Sequence, residues 1–284
     1  MTDDFLKSLR TRIKKSKGCF VIDAENIDYR HLNHIIRELI RHDKNKENLP
    51  VGQNFSEIIE INKVLGQRYI GDGIQKNIKI ILNGTPGNDL AAFMDGPHIE
   101  VFGNVQDGTG NTMNSGKIVI HGNAGDITGY SMRGGEIYIR NDVGYRSGIH
   151  MKSYKDKFPV IVIGGRAGNF LGEYMAGGII IVLGINKNNS CSSNRLIFNN
   201  NETIGNFIGT GMHGGIIYVY GEIPENKLGK EIIKSEPDNS DRPVIEKYVI
   251  NYFNYFGMPL KLDYNKFVKL VPYSKRPYGN LYAY

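Results

Sequence analysis

Residues 122–139 read Gly122-Asn-Ala-Gly-Asp-Ile-Thr-Gly-Tyr-Ser-Met-Arg-Gly-Gly-Glu-Ile-Tyr-Ile, and the same order of residue types recurs through the middle of the chain. Gly84, Gly103 and Gly122 follow one another at a constant step of roughly 19 residues, the period of a coiled repeat. Asn141 continues that step, and Gly165 to Gly184 repeats it. Two steps are longer, from Asn141 to Gly165 and from Gly184 to Gly221, so each contains an insertion. The inserted segments, 152–158 and 186–201, are rich in Lys and Tyr or in Asn and Ser, as suits loops on the outside of a stack.

Inside each unit the positions agree. One column reads Gly87, Gln106, Gly125, Gly144, Gly168, Gly205. Four positions on stand Ala91, Gly110, Gly129, Gly148, Gly172, Gly209, and three further on Met94, Met113, Met132, Met151, Met175, Met212. Six of the eight methionines thus share one column. Each unit includes an alternating aliphatic pair: Ile80/Leu82, Ile99/Val101, Ile118/Ile120, Ile137/Ile139, Ile161/Ile163, Ile180/Val182, Ile217/Val219. Alternation of β-branched residues marks a strand with one buried face. A strand in every unit, with no helical pattern between, leaves too little chain for a helical crossover. The chain must coil so that each strand lies beside its equivalent one turn earlier, at about 4.8 Å. Seven rungs then make a rod on the order of 30 Å long.

The fold class is therefore mainly β: a right-handed, single-stranded parallel β-helix with a small α/β N-terminal cap and a helical C-terminal tail. The expected division is a cap over 1–66, the β-helix over 67–221 with strands from about Asn77, and a linker, helix and aromatic tail over 222–284. Glycine recurs where the coil turns with positive φ or where backbones approach closely. The column Asn88, Asp107, Asp126, Asn169, Asn206 offers side chains to turn backbone groups. Tyr145 replaces it in one unit. The methionine column could be a soft binding surface or a core stripe. Equivalent positions in a coil face the same way and sulfur fills irregular space, so the core reading is preferred.

The open ends of such a rod need cover. Cys19-Phe-Val-Ile-Asp23 reads as a short strand. Asn26 or Asp28 would cap a helix to about His42, with Leu32, Ile35, Ile36, Leu39 and Ile40 on one face. Beyond the coil, Asp241 reads as the N-cap of a helix from about Arg242 to Phe256 that stops at Gly257. The tail from Phe267 to Tyr284 packs along the rod or onto a partner.

Composition excludes several function classes. The net charge of +6 is mild, and the basic run Lys7, Arg10, Arg12, Lys14, Lys15, Lys17 lacks interleaved aromatics, which argues against nucleic acid. Cys19 and Cys191 cannot by themselves hold a four-thiolate metal or iron–sulfur centre. No signal-like apolar segment follows Met1, and the apolar run 179–185 is too short to span a bilayer, so a cytoplasmic protein off the membrane is expected. Ile161-Val-Ile-Gly-Gly165-Arg-Ala-Gly168 imitates a dinucleotide fingerprint, but every glycine in it is explained by the repeat. His98, His121, His150 and His213 fall in different columns without ligand spacing. Glu100, Asp107, Asp126, Glu136 and Glu173 form no paired acid–base constellation.

The unit at 122–139 and its counterpart Gly205-Asn-Phe-Ile-Gly-Thr-Gly-Met-His-Gly-Gly-Ile-Ile-Tyr-Val resemble the GXGXG domain. That domain ends the large subunit of glutamate synthase and also occurs in a subunit of formylmethanofuran dehydrogenase. Leu65-Gly-Gln-Arg-Tyr-Ile-Gly-Asp-Gly-Ile resembles the glutamate synthase lead-in, Gly168-Asn-Phe-Leu-Gly-Glu-Tyr-Met-Ala-Gly-Gly-Ile-Ile-Ile-Val-Leu-Gly its late rungs, and Phe267-Val-Lys-Leu-Val-Pro272 its tail. The resemblance implies a stand-alone scaffold subunit with no catalytic, cofactor or metal site of its own. Its partners would be a glutamine amidotransferase subunit and a subunit carrying flavin and iron–sulfur clusters. It leaves open a role in a formylmethanofuran dehydrogenase-type complex, independent ligand binding, and self-association. The unit from Asn141 to Gly165 departs most from the consensus, so Tyr145, Arg146, His150 and Tyr154 are the candidate partner-binding residues.

Overall fold

The computed structural model describes residues 11–16, 19–42, 55, 57–185, 198, 202–259 and 262–274. Insertion 186–201, apart from Phe198, the second cysteine Cys191 and the end of the tail lie outside them. The strands are β1 (Ile13–Ser16), β2 (Cys19–Asp23), β3 (Ile58–Leu65), β4 (Lys79–Thr85), β5 (Asp95–Phe102), β6 (Ser115–Ile120) and β7 (Gly135–Ile139). They continue with β8 (Pro159–Ile163), β9 (Ala176–Val182), β10 (Gly214–Tyr220), β11 (Ile232–Ser235) and β12 (Phe267–Pro272). Helix α1 spans Tyr29–His42 and α2 spans Asp241–Phe256. All 12 strands form one sheet in the order β1 to β10, then β12 and β11.

From β2 to β10 every pairing is parallel, as a coil requires. The aliphatic pairs stack in register: Ile80 on Ile99 on Ile118 on Ile137 on Ile161 on Ile180 on Ile217, all fully buried. The six repeat methionines are also fully buried. A second, shorter ladder closes another wall through single bridges from Val105 to Ala124, Val143, Ala167 and Ile204.

The Asn/Asp column works between rungs rather than within its own turn. Asp107 Oδ1 accepts the N–H of Asp126 at 2.8 Å, Asp126 Oδ1 that of Tyr145 at 2.7 Å, and Asn169 Oδ1 that of Asn206 at 2.8 Å. A parallel row does the same from Asn104 to Asn123 and from Asp142 to Arg166. This explains Gly125, whose φ is not positive: a Cβ there would collide with the Asp107 carboxylate. Gly129 is needed for a different reason. Its φ is +72°, and a Cβ would come within 2.5 Å of Ile161 Cδ1.

The coil begins upstream of Asn77. β3 pairs in parallel with β2 and β4, placing Ile59 beside Ile80 and Ile61 beside Leu82. The first complete rung hid from the methionine column because Ile74 stands at that position. Its N–H bonds to Gly71 O as Met113 N–H bonds to Gly110 O.

Both mouths are closed by apolar side chains. Leu32, Ile35 and Ile36 of α1 join the rod's core at one end. Asp28 caps α1 by accepting the N–H groups of Arg30 and His31 at 2.9 and 3.2 Å. At the other end Ile223 and Leu228 cover the core, and β12 turns the sheet antiparallel against β10. The outermost strands β1 and β11 are short and carry Lys14, Lys15 and Lys234, which discourages pairing with another chain.

Helix α2 lies on the outer face of the late strands. Ile245, Tyr248, Val249, Tyr252, Phe253 and Phe256 recur at spacings of three, one, three, one and three, forming one buried stripe. They pack on Val160, Val162, Ile179, Ile181 and Leu183, so β8 is buried on both faces. Asp241 does not cap this helix. Its carboxylate is buried against Lys269 Nζ at 2.7 Å and the Tyr218 hydroxyl, while Asp238 takes the N–H groups of Ser240 and Asp241.

Substituting Met132→Asp puts a carboxylate without a partner into this interior. The expected loss is about 3 kcal/mol or more in urea unfolding. A melting temperature within a degree or two of wild type would remove the methionines from the core.

Candidate functional site

Between the short ladder and the methionine, each rung alternates into the left-handed conformation at three positions two residues apart. Residues 108, 110 and 112, then 127, 129 and 131, 146, 148 and 150, 170, 172 and 174, and 207, 209 and 211 all have positive φ. The alternation makes a flat corner whose middle residue faces inward, where glycine predominates. The outer two residues project away from the core. Glycine would suit them conformationally, since an ordinary side chain costs roughly 1–2 kcal/mol in that region. They are seldom glycine: the early rungs carry Tyr69, Asp89, Phe93, Thr112, Ile127 and Ser131, and the later ones Arg146, His150, Phe170, Tyr174 and Phe207.

These side chains stack at the spacing of the rungs. The His150 ring lies on Tyr174 at 5.3 Å, inclined by 12°, and meets Tyr130 edge-on at 6.0 Å. Phe170 and Phe207 stack at 5.0 Å. The Arg146 guanidinium lies 4.7 Å over the Phe170 ring, and its Nε donates to Glu173 Oε2 at 2.8 Å. The Glu173 side chain is only 10% exposed, whereas Arg146 is 45% exposed. A buried carboxylate and an aromatic face therefore orient an accessible cation. Tyr174 and Phe207 are also exposed, giving a face of aromatic groups around one fixed guanidinium.

Of the four residues singled out from sequence, Arg146 and His150 occupy this corner. Tyr145 precedes it, half exposed, with its N–H held by Asp126. Tyr154 belongs to a different feature, a tight hairpin in which Tyr154 and Lys157 exchange backbone hydrogen bonds. That hairpin is pinned by Lys157 on Asp95 at 3.0 Å. Phe170, Tyr174 and Phe207 are not distinguished by the repeat, because their positions vary from unit to unit, and Glu173 reads from sequence only as one of several unpaired acids. The available signal was the recurrence of aromatics two positions either side of Gly172.

The outer face of β4 to β7 carries a polar network absent from the column reading. Glu100 accepts from His121 at 3.1 Å and pairs with Lys79 at 2.8 Å; those contacts hold its carboxyl down at about 2. Lys117 bonds to the Tyr255 hydroxyl and faces Glu136 at 3.5 Å, tying the end of α2 to the sheet. His98 sits between Phe55 and Tyr255, and among the described residues its buried Nε2 has no hydrogen-bond partner. Burial, then Lys79 and Lys117, push its pKa down to about 4. Among the described residues no group of three or more His, Cys, Asp or Glu side chains is arranged to hold a metal.

The glycines at 164–168 run into the bridge at Ala167 rather than into a helix. The Tyr252 hydroxyl occupies the space above Gly164 and donates to Arg140 O at 2.8 Å. A pyrophosphate finds neither a helix N-terminus nor room there. Among the described residues no helix is long and apolar enough to cross a membrane.

The architecture thus defines a repeat-built parallel β-solenoid with an exposed aromatic and cationic corner. The GXGXG motif family matches residues 28–273, and the chain belongs to that family. An uncharacterized protein of Methanocaldococcus jannaschii is 47% identical over 271 residues, covering 93% of this chain and 96% of that protein. The fold is similar to that of a chain in the crystal structure of the formyltransferase/hydrolase complex FhcABCD from Methylorubrum extorquens, solved with methylofuran. The TM-score is 0.52 at 18% identity, covering 83% of this chain and 84% of that one.

The depressed pKa of His98 has a defined consequence for stability. Between pH 6.5 and about 4 the unfolded chain binds a proton that the folded chain refuses. This contribution is complete above 6.5 and is lost as the pH falls through about 4. Glu100 acts in a lower window, from 4.5 down to about 2. The urea midpoint should fall between pH 6.5 and 4 in the wild type and fall less in His98→Phe; equal slopes would show that His98 does not titrate in this way.

Proposed function

We propose that this protein is a non-catalytic scaffold and interaction subunit of a glutamate synthase-type complex in the cytoplasm. It holds together a glutamine amidotransferase subunit and a subunit carrying flavin and iron–sulfur clusters. The observation that carries the reading is the corner around Arg146. Arginine and aromatic residues predominate where protein interfaces bind tightly, and here they occupy backbone positions that favour glycine. A coil that only had to support itself would gain from glycine there. Membership of the GXGXG family supports the same division of labour, with chemistry carried by other polypeptides.

A second reading assigns the scaffold to a formylmethanofuran dehydrogenase-type complex. The similarity in fold to a chain of the FhcABCD complex favours it. The two readings share the docking role and differ in the partners.

The isolated chain should purify colourless and show neither glutaminase nor glutamate-forming activity. Stoichiometric bound flavin would overturn the scaffold reading. Replacing Tyr145, Arg146 and Tyr154 together by alanine should leave the chain folded, with a somewhat lower melting temperature because Glu173 loses its cation, and weaken co-purification with an amidotransferase or synthase subunit at least tenfold, about 1.4 kcal/mol. Retention of the partner at wild-type affinity would move the contact off this rung.

A further inference from the structure

We propose that Arg146 is the anchor of the corner and that its occupant is a carboxylate side chain on an exposed segment of a partner protein. The proposal rests on the scaffold reading and adds the chemistry of the contact.

The guanidinium is fixed on two sides. Glu173 holds Nε, and the Phe170 ring supports its face. Neither Nη1 nor Nη2 finds a partner among the described residues. A guanidinium held by its Nε edge presents the two terminal nitrogens as a fork, which matches the two oxygens of a carboxylate. Little side-chain entropy remains to be lost on binding, because the ring and the buried carboxylate have already removed it.

The local charge pattern points the same way. Acids occupy the preceding column at Asp107 and Asp126, where each gives an oxygen to the next rung. At the rung of Arg146 that column becomes Tyr145, and the following rungs carry Asn169 and Asn206. The guanidinium therefore sits where the acidic row ends. Phe207, 52% exposed, stacks on the Phe170 ring that supports the guanidinium, and the exposed Tyr174 stands in the same rung as Phe170, so a segment bound at Arg146 can continue over an aromatic surface. An acidic residue beside an apolar or aromatic one fits this face. A nucleic acid does not, because among the described residues Arg146 is the one cation of its left-handed column.

The test uses the full chain in its native cells, with Phe207 replaced by a photo-crosslinking benzoyl-phenylalanine. Adducts should map to one protein, at a segment containing Asp or Glu. Reversing that acid to Arg should lower co-purification with the wild-type chain at least tenfold, and an Arg146→Glu, Glu173→Gln chain, which avoids setting two carboxylates together, should recover it. Phe207→Gly serves as the folding control and should melt close to the wild type, since glycine suits its left-handed position; each Arg146 variant is checked for an unchanged β-rich circular dichroism spectrum instead, because it takes the cation away from Glu173. Adducts on nucleic acid, or a cross-linked segment whose acids reverse without loss, would overturn the proposal. If partners co-purify but position 207 forms no adduct, the acidic contact is wrong and the scaffold reading stands. If the wild-type chain co-purifies with no partner, both fall.

Discussion

Every rung must return the chain to the same angular position one strand spacing further along. The hydrogen bonds that enforce this come from side chains as well as from strands. An Asn or Asp oxygen in one rung accepts the backbone N–H of the next, and the residue opposite must be small enough to admit it. Two demands therefore fall on the same short stretch of most units: an acceptor, and a glycine one step before the N–H it reaches. The inward columns of isoleucine and methionine follow from the same closure, because residues that recur at equal angles meet their own kind. Insertions can enter only where the chain leaves the rod and comes back in register, as the 152–158 hairpin does.

Much of this could be read from the chain because stacking converts geometry into periodicity. The strands, their register and the buried methionines all leave a mark at every turn of the coil. What failed to be read had no period. The first rung was missed because isoleucine occupies the methionine position at Ile74. The cover formed by α2 was missed although its mark was present. Pro159-Val-Ile-Val-Ile163 is apolar without interruption, as a strand buried on both faces must be, whereas Lys79-Ile-Ile-Leu-Asn83 alternates more openly. Asp241 was placed at a helix cap by local pattern, but Tyr218 and Lys269, distant in sequence, claim its carboxylate.

The candidate site was half legible. Tyr145 stood out because it breaks the Asn/Asp column, and Arg146 and His150 because they lie in the same divergent unit. Phe170, Glu173, Tyr174 and Phe207 did not, because a variable position in a repeat carries no signal by itself. Only the backbone shows that these positions alternate into the left-handed region, where bulky residues are costly. Tyr154, close to Arg146 in sequence, is drawn into the inserted hairpin and held there through Lys157. Neighbourhood in a coil is set by angle first and sequence second.

The lysine-bearing edges and the antiparallel turn at β12 end the stacking at both termini, so the rod has a countable number of rungs. Its length is then quantised. Whatever binds near α1 and whatever binds near β11 are separated by a whole number of strand spacings, each about 4.8 Å. Loops can vary what the surface offers without altering that separation. Only the gain or loss of a complete unit changes it, and each such change also adds or removes one step of the aromatic corner. A coil of this design is graduated in rungs, with its surface side chains set at fixed marks.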